Sequence, residues 1–277
     1  MKIFISADIE GVSGVIHREH QVSGTGDYER SRRLMTQEVN AAIKGAIDAG
    51  ADEILVNDSH GSMRNIILED LNSKARLITG FPKQLLMMEG IDASYDGAIF
   101  IGYHAMACSW GVLAHTIDGS SILSIKINGK EYGEFGLNAA IAGHFGVPIL
   151  CVSGDNHLKK EVDGLSAEIE FAEVKTAHGV WSANCIHPTI VSELITEKVK
   201  RAISNIFICK PFVMEGPINL EVVLKHPSIC DVVSIIPGVK RNSSTTVSYH
   251  AENIIEAMRA IATMVNASCV LSMDIYR

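Results

Sequence analysis

Two carboxylates spaced two residues apart close the first apolar run of the chain, Met1-Lys2-Ile3-Phe4-Ile5-Ser6-Ala7-Asp8-Ile9-Glu10-Gly11. Alternate side chains of a strand share a face, so Asp8 and Glu10 are expected to point the same way. Two anions at the end of a buried strand repel each other unless something positive lies between them, and a metal ion is the simplest candidate. Two further runs, Glu53-Ile54-Leu55-Val56-Asn57-Asp58-Ser59-His60 and Gly97-Ala98-Ile99-Phe100-Ile101-Gly102-Tyr103-His104, each release a histidine at their exit. Ligands of an open α/β sheet bind outside the carboxyl ends of its strands, so Asp8, Glu10, Asp58, His60 and His104 are expected to converge.

That convergence needs parallel strands, and the pattern of the chain supplies them. A glycine-rich loop from Gly11 to Gly26 leads to a helix from about Tyr28 to Ala49, striped by Met35, Val39, Ile43 and Ile47 and ended by Gly50. The strand to His60 follows at once, giving a right-handed parallel β-α-β unit. Ala75 to Thr79 reads as another strand, Lys83 to Glu89 as a short helix, and Ser121 to Ile127 as a strand entering the hairpin turn Asn128-Gly129. The chain returns to Gly133-Glu134, the start of a helix through about His144, where the dipole favours a carboxylate with or without a metal. Val147 to Val152 is a buried strand ending in Ser153-Gly154-Asp155.

Beyond about Trp181 the character changes. Pro188 starts an amphipathic helix through about Ile206, and strands at Ile218 to Leu224 and Thr245 to Tyr249 alternate with helices, without clustered ligands at their ends. The expected fold class is α/β, a three-layer α/β/α sheet with a C-terminal α+β portion. The expected division is a metal-binding catalytic domain over 1–185 and a supporting or oligomerisation domain over 186–277.

Composition narrows the partners. The chain has 277 residues, 47% of them hydrophobic, enough for a large core. A net charge of -8, from 24 basic and 32 acidic residues with no basic run, argues against nucleic acid and an anionic membrane surface. No signal peptide or membrane-spanning run is read in the sequence. The six cysteines lack any C-x-x-C and are read as reduced thiols of a cytoplasmic protein. Gly11-Val12-Ser13-Gly14 lacks both nucleotide-binding glycine patterns, so a nucleotide cofactor is not expected.

Asp8, Glu10, His60, His104 and Glu134 together form an oxygen and nitrogen set of the kind zinc accepts. Five ligands exceed what one catalytic zinc uses, so two ions bridged by a carboxylate are the economical arrangement. Plainer readings stand beside this one: surface carboxylates for Asp8 and Glu10, a loop histidine for His60, and a helix cap for Glu134. Asp58 is read as a partner of a metal-bound imidazole or as a turn residue. Trp110 is either a pocket residue or a buried loop aromatic.

The segments Ser6-Ala7-Asp8-Ile9-Glu10-Gly11, Asn57-Asp58-Ser59-His60, Gly102-Tyr103-His104-Ala105, Ala114-His115-Thr116 and Gly133-Glu134-Phe135-Gly136-Leu137-Asn138-Ala139 resemble the D-aminopeptidases of peptidase family M55, in order and near spacing. The resemblance covers at least Met1 to Asp155. It implies a binuclear zinc hydrolase with Asp8, Glu10, His60, His104 and Glu134 as metal ligands and His115 as the catalytic histidine, either relaying protons or attacking directly. It also implies short peptides with N-terminal D-residues such as D-Ala as substrates, their ammonium held by an unassigned carboxylate such as Asp155 or by an open metal position, and a homo-oligomer. The competing expectations are a metal-dependent amidase or phosphoesterase, or a non-catalytic peptide-binding transport component.

Overall fold

A computed structural model describes residues 1–269. Residues 270–277, the end of the expected C-terminal portion, lie outside the described residues. In chain order the elements are β1 (Lys2–Ala7), α1 (Gly26–Asp48), β2 (Glu53–Asp58), β3 (Ala75–Ile78), β4 (Gly97–Ile101), β5 (Ile122–Ile127), β6 (Lys130–Glu131), α2 (Glu134–His144), β7 (Ile149–Asp155), α3 (Asn156–Leu165), β8 (Glu170–Gly179), β9 (Ser182–Cys185), α4 (Pro188–Ser204), β10 (Ile218–Leu224), α5 (Pro227–Val233), β11 (Lys240–Arg241), β12 (Thr246–Ala251) and α6 (Ile254–Ser268).

A seven-stranded sheet has the order β3-β2-β1-β4-β7-β8-β9. It is parallel except for β9, which returns antiparallel to β8. The apolar side chains of β1 divide between two cores, as the two-residue period of a strand requires. Ile3 and Ile5 pack with Val39 and Ile43 of α1 and with Val191 and Ile195 of α4. Phe4 faces the other way, into a core shared with Phe100, Phe135 of α2 and the inner faces of β5, β10 and β12. Gly45 lets α1 approach α4, because a Cβ there would stand 2.6 Å from the Thr196 carbonyl.

The second sheet is antiparallel, in the order β11-β12-β10-β5-β6. The architecture is therefore α/β, with a parallel-rich central sheet covered on both faces. The division expected at 185/186 does not follow the packing. The hairpin β5–β6, from the first part, pairs with β10 of the second, and α4, from the second, covers α1 of the first. The chain crosses between the two sheets three times, after β4, β6 and β9, so each sheet is built from both parts of the sequence or packed against them. The short helix expected at Lys83 to Glu89 is only a 3-10 turn at Leu86–Met88. Among the described residues no helix is long and apolar enough to cross a membrane.

Candidate metal centre

The exits of β1 and β4 pass at backbone contact. Asp8 N–H donates to the Ile101 carbonyl (2.8 Å) and Gly11 N–H to that of Gly102 (2.7 Å). Only glycine fits there: a Cβ on Gly11 would lie 1.9 Å from the Tyr103 carbonyl oxygen, and one on Gly102, at φ +71°, 2.2 Å from that of Asp8. This contact brings Asp8 and Glu10 opposite His104. His60 arrives from the exit of β2, whose register sets Ala7 beside Asp58. Glu134 arrives from the start of α2, after the β5–β6 hairpin.

The five side chains meet. His60 Nδ1 lies 3.0 Å from Glu10 Oε2 and 3.5 Å from Asp8 Oδ1. His104 Nε2 lies 3.5 Å from Asp8 Oδ2 and 3.3 Å from Glu134 Oε2. Asp8 therefore turns one oxygen toward each imidazole. His115 joins them, its ring stacked on His104 at 4.1 Å between centroids and its Nε2 3.6 Å from Glu134 Oε1.

Each imidazole has one nitrogen against a backbone carbonyl and the other in the cluster. The carbonyls belong to Gln21 for His60 Nε2 (3.1 Å), Ala105 for His104 Nδ1 (2.9 Å) and Leu113 for His115 Nδ1 (2.9 Å). A ring N–H given to a carbonyl leaves the opposite nitrogen with its lone pair, the form that binds metal or accepts a proton.

Burial makes the cluster electrostatically demanding. Burial and the neighbouring Glu10 push the Asp8 carboxyl up to about 8. Burial works against ionisation of Glu10 and Glu134 too, but His60 holds Glu10 well below its ordinary range and His104 lowers Glu134. Burial would depress both imidazoles, yet the carboxylates raise His60 and His104 well above the ordinary value. Such a set wants positive charge at its centre.

The residues fit a metal. His104 Nε2 is buried without a hydrogen-bond partner, although Glu134 Oε2 is 3.3 Å away. Two atoms that approach without hydrogen bonding are placed as co-ligands of one ion would be. Ligands at about 2.0–2.1 Å from a tetrahedral zinc stand roughly 3.3–3.4 Å apart. The four imidazole–carboxylate separations of 3.0, 3.5, 3.5 and 3.3 Å bracket that spacing. Potential ligand atoms of Asp8, Glu10 and His104 lie within 4.8 Å of one another, as do those of His104, His115 and Glu134.

The cluster forms the polar end of a cavity of about 120 Å³ whose other walls include Met63, Phe81, Leu86 and Ile117, with Ala262 and Val265 of α6. Here Asp58 takes the turn role, the second of its two readings, and the expectations for Asp155 and Trp110 fail. Asp58 touches no imidazole; it accepts from Asn65 N–H, Asn65 Nδ2 and Ile66 N–H, and Asn65 Nδ2 also donates to the His60 carbonyl, so Asp58 shapes the loop beyond His60. Asp155 caps α3 through His157 and Leu158 N–H and accepts from Val112 N–H. Its oxygens are consumed by backbone. Trp110 is 80% exposed and outside the cavity lining.

Sequence reasoning missed the buried ions around the cluster. Lys175, fully buried on β8, donates to the carbonyls of Glu10, Val12 and Val15, and Glu38 of α1 accepts from Ser13 N–H (2.8 Å). Together they grip the loop that carries Glu10. Glu161 of α3 accepts from Met106 N–H (2.7 Å), two residues beyond His104. Lys83 donates to Asn57 Oδ1 and to the Asp58 carbonyl at the end of β2. Glu38 had a visible signal, since it falls on the apolar stripe of α1 between Met35 and Val39.

A carboxylate–imidazole cluster at the carboxyl edge of a parallel sheet, closing an apolar cavity, is the architecture of an α/β metal-site enzyme. The family model described as D-aminopeptidase, of peptidase family M55, matches residues 1–263. A D-aminopeptidase of Bacillus subtilis (strain 168) is 36% identical over 268 residues, 95% of this chain and 96% of its own length. The solved structure of the Zn-dependent D-aminopeptidase DppA from Bacillus subtilis, a self-compartmentalizing protease, matches with a TM-score of 0.94 at 35% identity, covering 97% of this chain and 98% of that one. The chain belongs to the M55 D-aminopeptidase family and is a hydrolase of the aminopeptidase kind. The resemblance read from the five sequence segments is borne out.

Proposed function

We propose that this enzyme removes N-terminal D-amino acids such as D-Ala from short peptides at a binuclear zinc site. Glu10 and His60 would hold one ion and His104 and Glu134 the other, with Asp8 shared between the two. The observation that carries the reading is the pair of Asp8 oxygens, each facing a different imidazole beside a different glutamate. Zinc is the metal of the structurally similar DppA.

When bound, zinc supplies a Lewis acid for the scissile carbonyl and makes attacking water available at neutral pH. The protein's own groups do the rest. The Leu113 carbonyl keeps a proton on His115 Nδ1, so Nε2 is free to accept a proton from the attacking water and pass it to the leaving amine. Ile117 N–H occupies Glu134 Oε1 (2.6 Å), which directs Oε2 toward His104. The apolar walls exclude bulk water and sharpen every charge in the site.

No lysine or arginine is among the described cavity-lining residues. A phosphate dianion would find no side-chain cation there, which favours a peptide over a phosphoester. Likeness to a self-compartmentalizing protease supports a homo-oligomer. The free thiols of Cys108, Cys151, Cys185, Cys209 and Cys230 are consistent with a cytoplasmic setting.

Zinc analysis paired with hydrolysis of D-Ala-D-Ala and L-Ala-L-Ala tests the reading in wild type, Glu10→Gln and His115→Ala. The wild type should cleave only the D-peptide. Glu10→Gln should lose metal and activity together, whereas His115→Ala should keep its zinc and lose about 10²–10⁴ in turnover. A zinc-free His115→Ala protein would show that His115 is a ligand and refute its catalytic assignment.

A further inference from the structure

Left-handed backbone gathers around the cavity. Among the described residues, six non-glycine residues have positive φ: Met63 (56°), Leu86 (48°), Cys108 (64°), Leu113 (55°), Ile117 (61°) and Asn128 (52°). Asn128 sits in the hairpin turn, where this conformation is ordinary. Met63, Leu86 and Ile117 line the cavity, and Leu113 supplies the carbonyl that faces His115 Nδ1.

Ile117 is the extreme case. A β-branched side chain is the least tolerant of positive φ, and here it occupies the centre of a three-residue turn closed by Asp118 N–H to the Thr116 carbonyl (2.7 Å). Three-residue turns with positive φ at the centre are rare and strained. Strain of this kind persists only where the surroundings enforce it. Glu134 does so, by accepting the Ile117 N–H at 2.6 Å. The turn therefore fixes a carboxylate with its backbone and lines the cavity with its side chain.

We propose that Ile117 is the specificity-determining residue of the site, its strained turn holding an aliphatic side chain where the N-terminal side chain of the substrate must fit. This rests on the aminopeptidase reading, because in that reaction the residue being released lies beside the cluster. The Ile117 side chain caps the room available, so removing it admits larger N-terminal residues.

The test compares Ile117→Gly with Ile117→Ala in the zinc-loaded enzyme. Both open the cavity, but only glycine relaxes the left-handed backbone. The ratio of kcat/KM for D-Ala-headed over D-Leu-headed dipeptides should fall at least tenfold in both variants, within the roughly 10–200-fold discrimination that one methylene supplies in an apolar pocket. Zinc content should stay at the wild-type level, and the Tm of the glycine variant should exceed that of the alanine variant. An active wild type whose two variants keep the wild-type ratio overturns the assignment alone. Equal Tm values, or a lower one for glycine, remove the strained turn from it. A wild type that cleaves no D-peptide overturns the aminopeptidase reading and the assignment with it.

Discussion

The two halves of the cluster offer matching chemistry on different mountings. Glu10 and His60 leave adjacent parallel strands, and buried polar groups hold their loops: Lys175 and Glu38 beneath Glu10, Asp58 and Asn65 beneath His60. His104 and Glu134 come from different layers. One leaves β4, while the other begins a helix reached through a hairpin of the second sheet. Their supports are Ile117 N–H and the Glu161 contact with Met106 N–H. The first half thus depends on buried charges meeting backbone carbonyls and amides, the second on how the two sheets pack. Among the five proposed ligands Asp8 faces both, and His115 also spans them, its Nε2 4.0 Å from Glu10 Oε1 and 3.6 Å from Glu134 Oε1.

The largest effect expected from breaking this arrangement is therefore at Asp8. Asp8→Asn should empty both halves, weakening zinc binding by more than the roughly 10–100-fold that partners outside the metal shell contribute. Glu10→Gln and Glu134→Gln should each empty mainly their own half, leaving about one ion per chain on our proposed count. Metal analysis after dialysis against limiting zinc decides it. If Asp8→Asn retained as much zinc as either glutamate variant, the bridge would be wrong.

The unequal mountings also explain what the sequence revealed. Asp8, Glu10, His60 and His104 were legible because a parallel strand delivers its last residues to a known edge, and apolar runs mark where strands end. Glu134 was legible as the residue after a hairpin turn, but only contact between the two sheets aims it at His104, and no local pattern records that. Asp58 and Asp155 carried the same strand-exit signature as the cluster residues, yet backbone amides occupy them. A carboxylate's type and position do not say whether it will meet an amide or a cation. Lys175 was invisible because its acceptors are carbonyls, which every residue has. The boundary at 185/186 failed for a related reason: periodicity shows which face of an element is apolar, not which distant element covers it.

Lys175 gives the next sharpest probe of the contrast. A fully buried ammonium that bonds carbonyls, with no carboxylate in ion-pair range among the described residues, is costly to hold. The arrangement is understandable if it fixes the turn from Glu10 to Val15. Lys175→Met, which fills similar volume without the donors, should weaken zinc at the Glu10–His60 half by about 10–100-fold. Chelator competition would read this as one loosened ion and one unchanged. Equal loosening of both would mean that the halves are not mounted independently.

The smallest effect should appear in stability against pH, where each half has one glutamate outside the cluster, Glu38 buried and Glu161 partly so. Burial raises Glu38 to about 7 against the opposing pull of Ser13 N–H and Lys175, and raises Glu161 to about 7 against that of Met106 N–H. Both sit above the unfolded value of about 4.3, so the folded protein binds more protons across that interval. Their contribution is complete below the unfolded value and is lost as pH rises through about 7. Glutamine cannot titrate. Glu38→Gln should therefore flatten the fall of Tm between pH 5 and pH 7.5, by about 2–4 °C if the difference is worth about 1 kcal/mol. Glu161→Gln should do less, because Glu161 is only partly buried and water screens its charge. Melting curves of the zinc-loaded proteins at both pH values measure the slopes directly. Parallel lines for wild type and Glu38→Gln would mean that the carboxyl beneath the Glu10 loop ionises as readily folded as unfolded, and Glu38 would then add no pH-dependent stability to that half.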